Sequence, residues 1–190
     1  MTQSSAPRAV ALVGMPGAGK TLCAKHLEQR GYYQFRFGSI VTDEVEARGQ
    51  AINPENERVV REEFRKQEGM DAIAKRALPK LQAALETNAS IIIDGLYSWS
   101  EYKTLRPVLG DDMVLLAITC RKSLRYARLA NRPDRPLTRE QVETRDFREI
   151  EHLEKGGPIA IADYTLTNDA TTEDLLVRLD ALMTELGILP

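Results

Sequence analysis

The sequence predicts an α/β protein built on a five-stranded parallel sheet with helices on both faces. Three observations lead to this prediction: a glycine-rich loop after an apolar run, a second apolar run that ends in an acidic residue, and an arginine-rich helical hairpin. The apolar runs lack polar alternation, which is typical of strands buried on both faces. A chain of 190 residues can bury the core of one such domain.

The first predicted strand, residues 10–13, runs into the pattern G-x-x-x-x-G-K-T, the phosphate-binding P-loop. Its residues are Gly14, Met15, Pro16, Gly17, Ala18, Gly19, Lys20 and Thr21. The glycines let backbone N–H groups turn toward an anion. Lys20 is expected to reach the phosphates of ATP, and Thr21 to hold Mg²⁺. A glycine-rich turn before an ordinary helix is the alternative, but the order of strand, loop and helix (residues 21–30) favours nucleotide binding. We therefore predict a three-layer P-loop NTPase fold.

A second strand over residues 32–37 precedes a helical segment, residues 39–87, expected on the acceptor side of the domain. Ser39 is the expected N-cap of its first helix, and Gly69 and Pro79 are expected to interrupt the later helix. Most of its cations are expected to form a solvated face paired with glutamates. One or two can reach an anionic substrate, and Arg65 is the candidate. The cations considered are Arg58, Arg61, Arg65, Lys66, Lys75 and Arg76.

The third predicted strand, residues 91–94, ends in Asp94. Open α/β sheets bind ligands at the carboxyl ends of their strands, where a carboxylate can hold Mg²⁺ or accept a proton from an attacking hydroxyl. An ordinary turn or N-cap aspartate is the alternative. Gly95 follows where many ATP-hydrolysing P-loop proteins carry a glutamate, which favours transfer to a substrate over hydrolysis.

Tyr97 follows at the same edge and is a candidate for lining an acceptor pocket. The alternative is that Tyr97 and Trp99 only pack over the sheet edge. A short helix over residues 101–109 and a strand over residues 114–119 come next.

An arginine stripe then begins a predicted lid, residues 121–155. Arg121, Arg125, Arg128 and Arg132 share one face if the helix is regular. Residues 121–139 hold seven basic residues and one acid, a local charge of +6, so the rest of a chain of net charge −2 carries −8. A proline-containing loop and a second helix with Arg145 complete a hairpin suited to closing over phosphates. A basic patch for RNA is the alternative, although aromatic residues for base stacking are sparse.

The last strand, over residues 163–167, places Asn168 at the ligand edge, where it is expected to contact a nucleobase. Thr171 or Thr172 caps the final amphipathic helix. Two distant cysteines without metal spacing indicate reduced thiols and a cytoplasmic protein. We expect a frayed tail over residues 1–7, no leader and no membrane span.

With these motifs in this order, the chain resembles the nucleoside monophosphate kinase-like P-loop kinases, and it is most similar to an adenylate-kinase-like branch often labelled dephospho-coenzyme A kinase-related. The resemblance spans nearly the whole chain. It implies that Arg128, Arg132 and Arg145 act on the transferring phosphate and that Ser39 begins the acceptor-binding segment. Thr42 and Ser98 stand where adenylate kinases carry arginines that grip the acceptor phosphate, so the resemblance covers the donor side better than the acceptor side.

These expectations describe a single domain, residues 1–190, that transfers the γ-phosphoryl of ATP to a nucleotide-like acceptor. Its catalytic residues are predicted as Lys20, Asp94, Arg128, Arg132 and Arg145. Its expected partners are a nucleotide donor and a small phosphoryl acceptor, without nucleic acid, in a monomer or homodimer. A nucleotide-sensing ATPase that acts through a partner protein, and an RNA-associated ATPase, remain the alternatives.

Overall fold

The computed structural model describes residues 8–133 and 135–190. The tail predicted over residues 1–7, and Asp134 of the predicted lid loop, lie outside the described residues.

The predicted five-stranded parallel sheet is confirmed in the described part of the chain. Its strands are β1 (Ala9–Val13), β2 (Tyr33–Arg36), β3 (Ile91–Asp94), β4 (Met113–Thr119) and β5 (Tyr164–Thr167). They are ordered β2-β3-β1-β4-β5, and all four neighbouring pairs are parallel. The central strand β1 is therefore the one that leads into the P-loop.

The described helices cover both faces of this sheet. They are α1 (Lys20–Gln29), α2 (Ser39–Ala47), α3 (Pro54–Glu68), α4 (Ala72–Thr87), α5 (Trp99–Leu109), α6 (Lys122–Ala130), α7 (Arg139–Glu151), α8 (Gly156–Ala160) and α9 (Thr172–Glu185). Thr171 is the N-cap of α9 and accepts a hydrogen bond from the Asp174 amide.

Alternate residues of β1 belong to two separate hydrophobic cores. Ala9, Ala11 and Val13 pack with α2, α3, α4 and α5. Val10 and Leu12 pack with α1 and α9 on the other face. This alternation produces the three predicted layers, because successive side chains of a strand point to opposite faces.

The register of the sheet brings the candidate residues to one edge. Asp94 at the end of β3 lies opposite Leu12 of β1 and Arg36 of β2. The P-loop begins two residues after Leu12, so Asp94 and the loop share the carboxyl edge of the sheet.

Three predicted helix boundaries were wrong. Gly38, not Ser39, is the N-cap of α2, and Ser39 is the first helical residue without a side-chain cap. Pro79 does not interrupt α4, which continues to Thr87 because buried residues on both sides of it pack into the core. Trp99 begins α5, since Ser98 and Glu101 form a capping box there.

The described residues contain no helix that is both long enough and apolar enough to cross a bilayer.

Gly14 provides a test of the packing around the P-loop. Its φ is +144°, and a Cβ there would lie 2.2 Å from the Ile118 carbonyl oxygen of β4. We expect Gly14→Ala to lower the free energy of unfolding by at least about 3 kcal/mol, because strain and overpacking add. Urea unfolding monitored by circular dichroism measures the loss.

Gly49→Ala is the matched control. Gly49 also has a positive φ, +68°, but a Cβ there would meet no atom within 4 Å. It should cost only about 1–2 kcal/mol of backbone strain. Equal losses in the two variants would contradict the tight packing of the loop against β4.

Candidate functional site

The P-loop leaves several backbone donors without an acceptor. The N–H groups of Gly17, Gly19 and Lys20 donate to no described residue. The N-terminus of α1, which starts at Lys20, has no side-chain cap. Unpaired donors at a helix N-terminus favour an anion, so the loop fits the phosphates of a nucleotide.

The outer side of the loop is closely packed. A Cβ at Gly17 would lie 3.0 Å from the Arg125 carbonyl oxygen and from a carbon of Leu129. A Cβ at Gly19 would lie 2.4 Å from Nδ2 of Asn168. These glycines are therefore required by the packing of the loop against α6 and the end of β5, as well as by its backbone angles.

Asn168 is buried against the loop, with 3% of its surface exposed. Its Nδ2 donates to the Ala18 carbonyl oxygen at 2.8 Å. Arg128 donates to the carbonyl oxygen of Asn168 at 3.0 Å and to its Oδ1 at 3.2 Å. The amide predicted to contact a base is thus occupied by the P-loop, and Arg128 is bound to that amide.

Lys20 lies inside the loop that it follows. Its Nζ donates to the carbonyl oxygens of Gly14 at 2.6 Å and Met15 at 3.3 Å. Burial, with a smaller contribution from Lys155, lowers the pKa of Lys20 to about 7. A negative phosphate beside Nζ would reverse this shift, since it favours the charged form.

Asp94 lies close enough to Lys20 for each to shift the pKa of the other. Burial raises the pKa of Asp94, and Lys20 opposes that effect. Gln34 of β2 donates from Nε2 to Oδ2 of Asp94 at 2.9 Å, which orients the carboxylate. Asp94 at the end of β3 and Thr21, the second residue of α1, both offer side-chain oxygens at the P-loop edge of the sheet, and oxygen is the donor type that fits Mg²⁺.

The arginine stripe does not form one face of a helix. α6 covers only Lys122–Ala130, so Arg121 is its N-cap and Arg132 lies beyond its end in the loop. Arg125 is buried and binds both carboxylate oxygens of Asp146 in α7, at 3.1 and 2.6 Å. It also donates to the Pro16 carbonyl oxygen at 2.9 Å. Arg125 therefore joins both helices of the lid to the P-loop and does not face a ligand.

A second buried ion pair lies at the end of the lid. Lys155 is 2% exposed, and its Nζ donates to Oε2 of Glu149. Arg145 donates from Nε to Oε1 of Glu149 at 3.0 Å. Burial alone would raise the pKa of Glu149, but Lys155 and Arg145 hold it below its usual value. Since Arg145 and Lys155 both lower the pKa of Lys20, the end of α7 lies beside the P-loop.

Tyr97 lies beside the end of β3, next to Asp94. A Cβ at Gly95 would lie 2.6 Å from the Tyr97 hydroxyl, so the phenol folds back beside Asp94. Burial raises the pKa of Tyr97 to about 12, and the charges of Asp94 and Glu101 act in the same direction. Trp99 instead stacks on Tyr102, with ring centroids 5.2 Å apart, and packs against Gly157.

Glu101 is fully buried beneath Tyr97. Its Oε2 accepts hydrogen bonds from the amides of Tyr97 at 2.7 Å and Ser98 at 3.0 Å, whereas Oε1 has no partner. Burial raises the pKa of Glu101 to about 7, and Arg65 opposes the rise.

Ser39 lies apart from Tyr97. It lines a groove of about 700 Å³ between β2 and α4, together with Gln34, the residue that binds Asp94. The structure therefore brings Lys20, Asp94, Arg145 and Tyr97 together, whereas Ser39 lies in a neighbouring groove that is linked to Asp94 through Gln34.

Sequence reasoning missed Glu101, Asp146, Glu149 and Lys155. The S-x-x-E spacing of Ser98 and Glu101 is a capping-box signal that could have located Glu101. The other three belong to pairs separated by 6 or 21 residues, for which no local pattern exists. The serine and threonine that replace arginines of the resemblance are used locally: Ser98 caps α5, and Thr42 donates to the Ser39 carbonyl oxygen at 3.2 Å.

The Arg125–Asp146 pair generates a stability prediction. Asp146→Asn leaves a buried guanidinium without its counter-charge, so we expect a loss of about 3–5 kcal/mol in the free energy of unfolding. Asp43→Asn is the control, since the Lys80–Asp43 pair is more than half exposed and its loss should cost at most about 1 kcal/mol. Denaturant unfolding compares them, and similar losses would contradict the structural role of the buried pair.

Comparison with known proteins assigns the chain to a family. Residues 10–153 match the AAA_18 family model, described as "AAA domain". A UPF0200 protein of Thermococcus kodakarensis is 34% identical over 180 residues, which cover 93% of this chain and 97% of that protein. A UPF0200/UPF0201 protein of Archaeoglobus fulgidus is 32% identical over 182 residues, but this chain spans only 56% of its length.

Solved structures agree at the level of the fold. A shikimate kinase from Acinetobacter baumannii superposes with a TM-score of 0.55 at 19% identity, covering 94% of both chains. A gluconokinase from Sinorhizobium meliloti gives a TM-score of 0.53 at 15% identity, covering 96% of this chain and 95% of that one. The predicted P-loop kinase-like fold is thereby confirmed, while the narrower likeness to nucleoside monophosphate kinases stays a prediction. The chain belongs to the AAA_18 family and to the UPF0200 proteins.

Proposed function

We propose that this protein is an ATP- and Mg²⁺-dependent phosphotransferase that moves the γ-phosphoryl group of ATP to a small nucleotide-like acceptor. The observation that carries the proposal is the uncapped N-terminus of α1, whose free amides, Lys20 and Asp94 meet at one edge of the sheet. Phosphoryl transfer is catalysed mainly by positioning and charge neutralisation, which such a site supplies.

On the donor side, the amides of Gly17, Gly19 and Lys20 bind the phosphates, and the Lys20 side chain leaves the carbonyl of Gly14 to bind the β- and γ-phosphates. Thr21 and Asp94 hold Mg²⁺, which neutralises phosphate charge when it is bound. Gln34 keeps Asp94 oriented by its hydrogen bond. Asn168 and Arg128 hold the loop in place from outside and border the nucleoside side of the donor.

The lid, residues 121–155, supplies positive charge to the transferring group. Arg145 is the favoured lid arginine, because its charge contributes to the lowered pKa of Lys20. Arg132 follows α6 in the same lid and is assigned with it. Closure of the lid excludes water and so disfavours hydrolysis, as does the glycine that follows Asp94.

On the acceptor side, the helical segment of residues 39–87 and Tyr97 form the second half of the site. Arg65 is assigned to this half of the site because its charge interacts with that of Glu101, and Ser39 is assigned to it from the groove beside β2.

The two thiols, Cys23 and Cys120, form no disulfide. Free thiols support a cytoplasmic location. The proposed partners are small molecules, without a nucleic acid, and the protein acts as a monomer or homodimer.

The transfer reaction is tested by coupled detection of ADP over a panel of nucleotides, deoxynucleotides and dephospho-coenzyme A. We expect acceptor-dependent ADP release that Lys20→Ala abolishes while circular dichroism stays unchanged, because Lys20 acts on the phosphates. Tight ATP binding with slow turnover and no response to any acceptor would favour the nucleotide-sensing alternative. Stimulation by RNA that falls steeply with salt would favour the RNA-associated one.

The pKa of Lys20 predicts proton uptake on ATP binding. With a pKa of about 7, Lys20 is mostly neutral at pH 8, and the bound phosphates should raise its pKa and restore its proton. Calorimetry at pH 8 in buffers of different ionisation enthalpy should therefore report an uptake approaching one proton per ATP. The uptake should vanish near pH 6, where Lys20 is already charged, and should be absent in Lys20→Met. An uptake that persists in Lys20→Met would assign it to another group.

A further inference from the structure

We propose that Arg61 and Arg65 of α3 form an oxyanion subsite that binds a phosphate monoester or carboxylate group of the acceptor. The inference rests on the proposed function, because the acceptor is the molecule named there. It identifies the chemical group by which the acceptor is held and assigns a role to Arg61, which the sequence places only on a solvated face.

The two arginines differ from most cations of the helical segment: Arg65 has no described carboxylate oxygen within 4.0 Å, and for Arg61 the nearest one is that of Glu57 at 3.8 Å. Arg58 binds Glu55 at 2.6 Å and Glu62 at 2.8 Å. Other cations of the segment are paired in the same way, as in Lys75–Asp71, Arg76–Glu68, Lys80–Asp43 and Arg48–Glu63.

The side chain of Arg65 makes no hydrogen bond to any described residue and has no described carboxylate oxygen within 4.0 Å. Its Nε is buried without a partner, and burial lowers its pKa. The side chain is half-buried, so its terminal nitrogens reach solvent while Nε does not. A partly buried guanidinium without a partner binds an anion favourably through its terminal nitrogens, because the free protein has already removed part of its hydration shell.

Arg61 precedes Arg65 by one helical turn, so both side chains lie on the same face of α3. Among the described residues, the one carboxylate within 4.0 Å of Arg61 is that of Glu57, whose nearest oxygen is 3.8 Å away. A pair of guanidiniums one turn apart can hold the several oxygens of a phosphate or carboxylate between them.

This face of α3 lies within electrostatic range of the segment that follows Asp94. The charge of Arg61 acts on Tyr97, and the charge of Arg65 acts on Glu101. Glu101 is fixed by the backbone of Tyr97 and Ser98, three and four residues after Asp94. An acceptor bound by these arginines therefore lies against Tyr97, near the carboxylate of Asp94.

Glu101 does not neutralise the subsite by contact. Its Oε1 is buried without a partner, and the two side chains do not come within ion-pair distance of each other. Glu101 therefore leaves the hydrogen-bond donors of the Arg65 guanidinium unoccupied.

The subsite is tested by anion binding with the P-loop filled. The protein is saturated with a non-hydrolysable ATP analogue and Mg²⁺, and inorganic phosphate and acetate are titrated separately at constant ionic strength. Binding is followed by the rise in Tm. We expect saturable binding of at least one anion, weakened about tenfold or more by Arg65→Gln and by Arg61→Gln, because each removes charge-assisted hydrogen bonds.

Arg58→Gln is the matched control, since it removes the same charge from the same helix but from a residue already paired with Glu55 and Glu62. It should keep the wild-type affinity within about twofold, a difference of less than roughly 0.5 kcal/mol. Arg65→Lys keeps the positive charge but removes the planar guanidinium. If the guanidinium geometry contributes to binding, this variant should also lose affinity for the anion. Circular dichroism checks that each variant is folded.

The outcomes separate the subsite from the proposed function. Binding of phosphate alone identifies a phosphate monoester, and binding of acetate alone identifies a carboxylate. If neither anion binds the wild-type protein saturably, or if Arg58→Gln loses as much affinity as Arg65→Gln, the subsite is refuted. If the analogue itself does not bind, the proposed function fails instead, and the titration without nucleotide still reports on the arginines.

Discussion

The close approach of the P-loop to the strand and helix behind it is the constraint on which the rest of the site depends. Gly14 passes so near β4, and Gly19 so near Asn168, that no side chain fits at either position. Donors from outside the loop occupy its carbonyl oxygens, with Asn168 on Ala18 and Arg125 on Pro16. The amides of Gly17, Gly19 and Lys20 are left without an acceptor among the described residues, so a bound anion can take them.

Two buried ion pairs extend this constraint into the lid. Arg125–Asp146 ties α6 and α7 to the loop, and Lys155–Glu149 places a second pair beside Lys20. Buried pairs seldom add much stability over apolar packing, because desolvation offsets their attraction. Their effect here is better understood as placement: they fix where α7 and Arg145 stand relative to the phosphate cradle.

The two halves of the site differ in how their charges are balanced. On the donor side, Arg125, Arg128 and Lys155 are engaged by protein partners, whereas the amides of Gly17, Gly19 and Lys20 stay open for phosphate within the described part of the chain. On the acceptor side, Arg65 has no described carboxylate oxygen within 4.0 Å, and the nearest one to Arg61 is that of Glu57 at 3.8 Å. An unbalanced, partly desolvated charge is costly for the free protein, and a complementary ligand removes that cost.

Much of the fold could be read from local pattern. Three local features were sufficient to predict the parallel sheet, the P-loop and the position of Asp94: the glycine spacing, the unbroken apolar runs and the acidic residue at the end of β3. They were sufficient because backbone conformation and strand burial depend on residues that are adjacent in the sequence. Helix boundaries were predicted less well. The N-cap of α2 is Gly38 and not Ser39, and α4 continues through Pro79, which usually interrupts a helix, because the helix packs into the core on both sides of it.

The partners of the arginines could be known only from the tertiary structure. Arg125 and Arg128 belong to one stripe in the sequence, yet one binds Asp146 and the other binds Asn168, 21 and 40 residues away. Likewise, Arg58 and Arg65 are two arginines of the same helix, α3. Arg58 is neutralised by Glu55 and Glu62, whereas Arg65 has no partner for its Nε even though Glu101 is nearby, and the sequence does not show this difference. Sequence alone determined which residues could bind phosphate. The three-dimensional arrangement decided which of them are free to do so, because a charge is satisfied by whichever groups lie within a few ångströms, regardless of their distance along the chain.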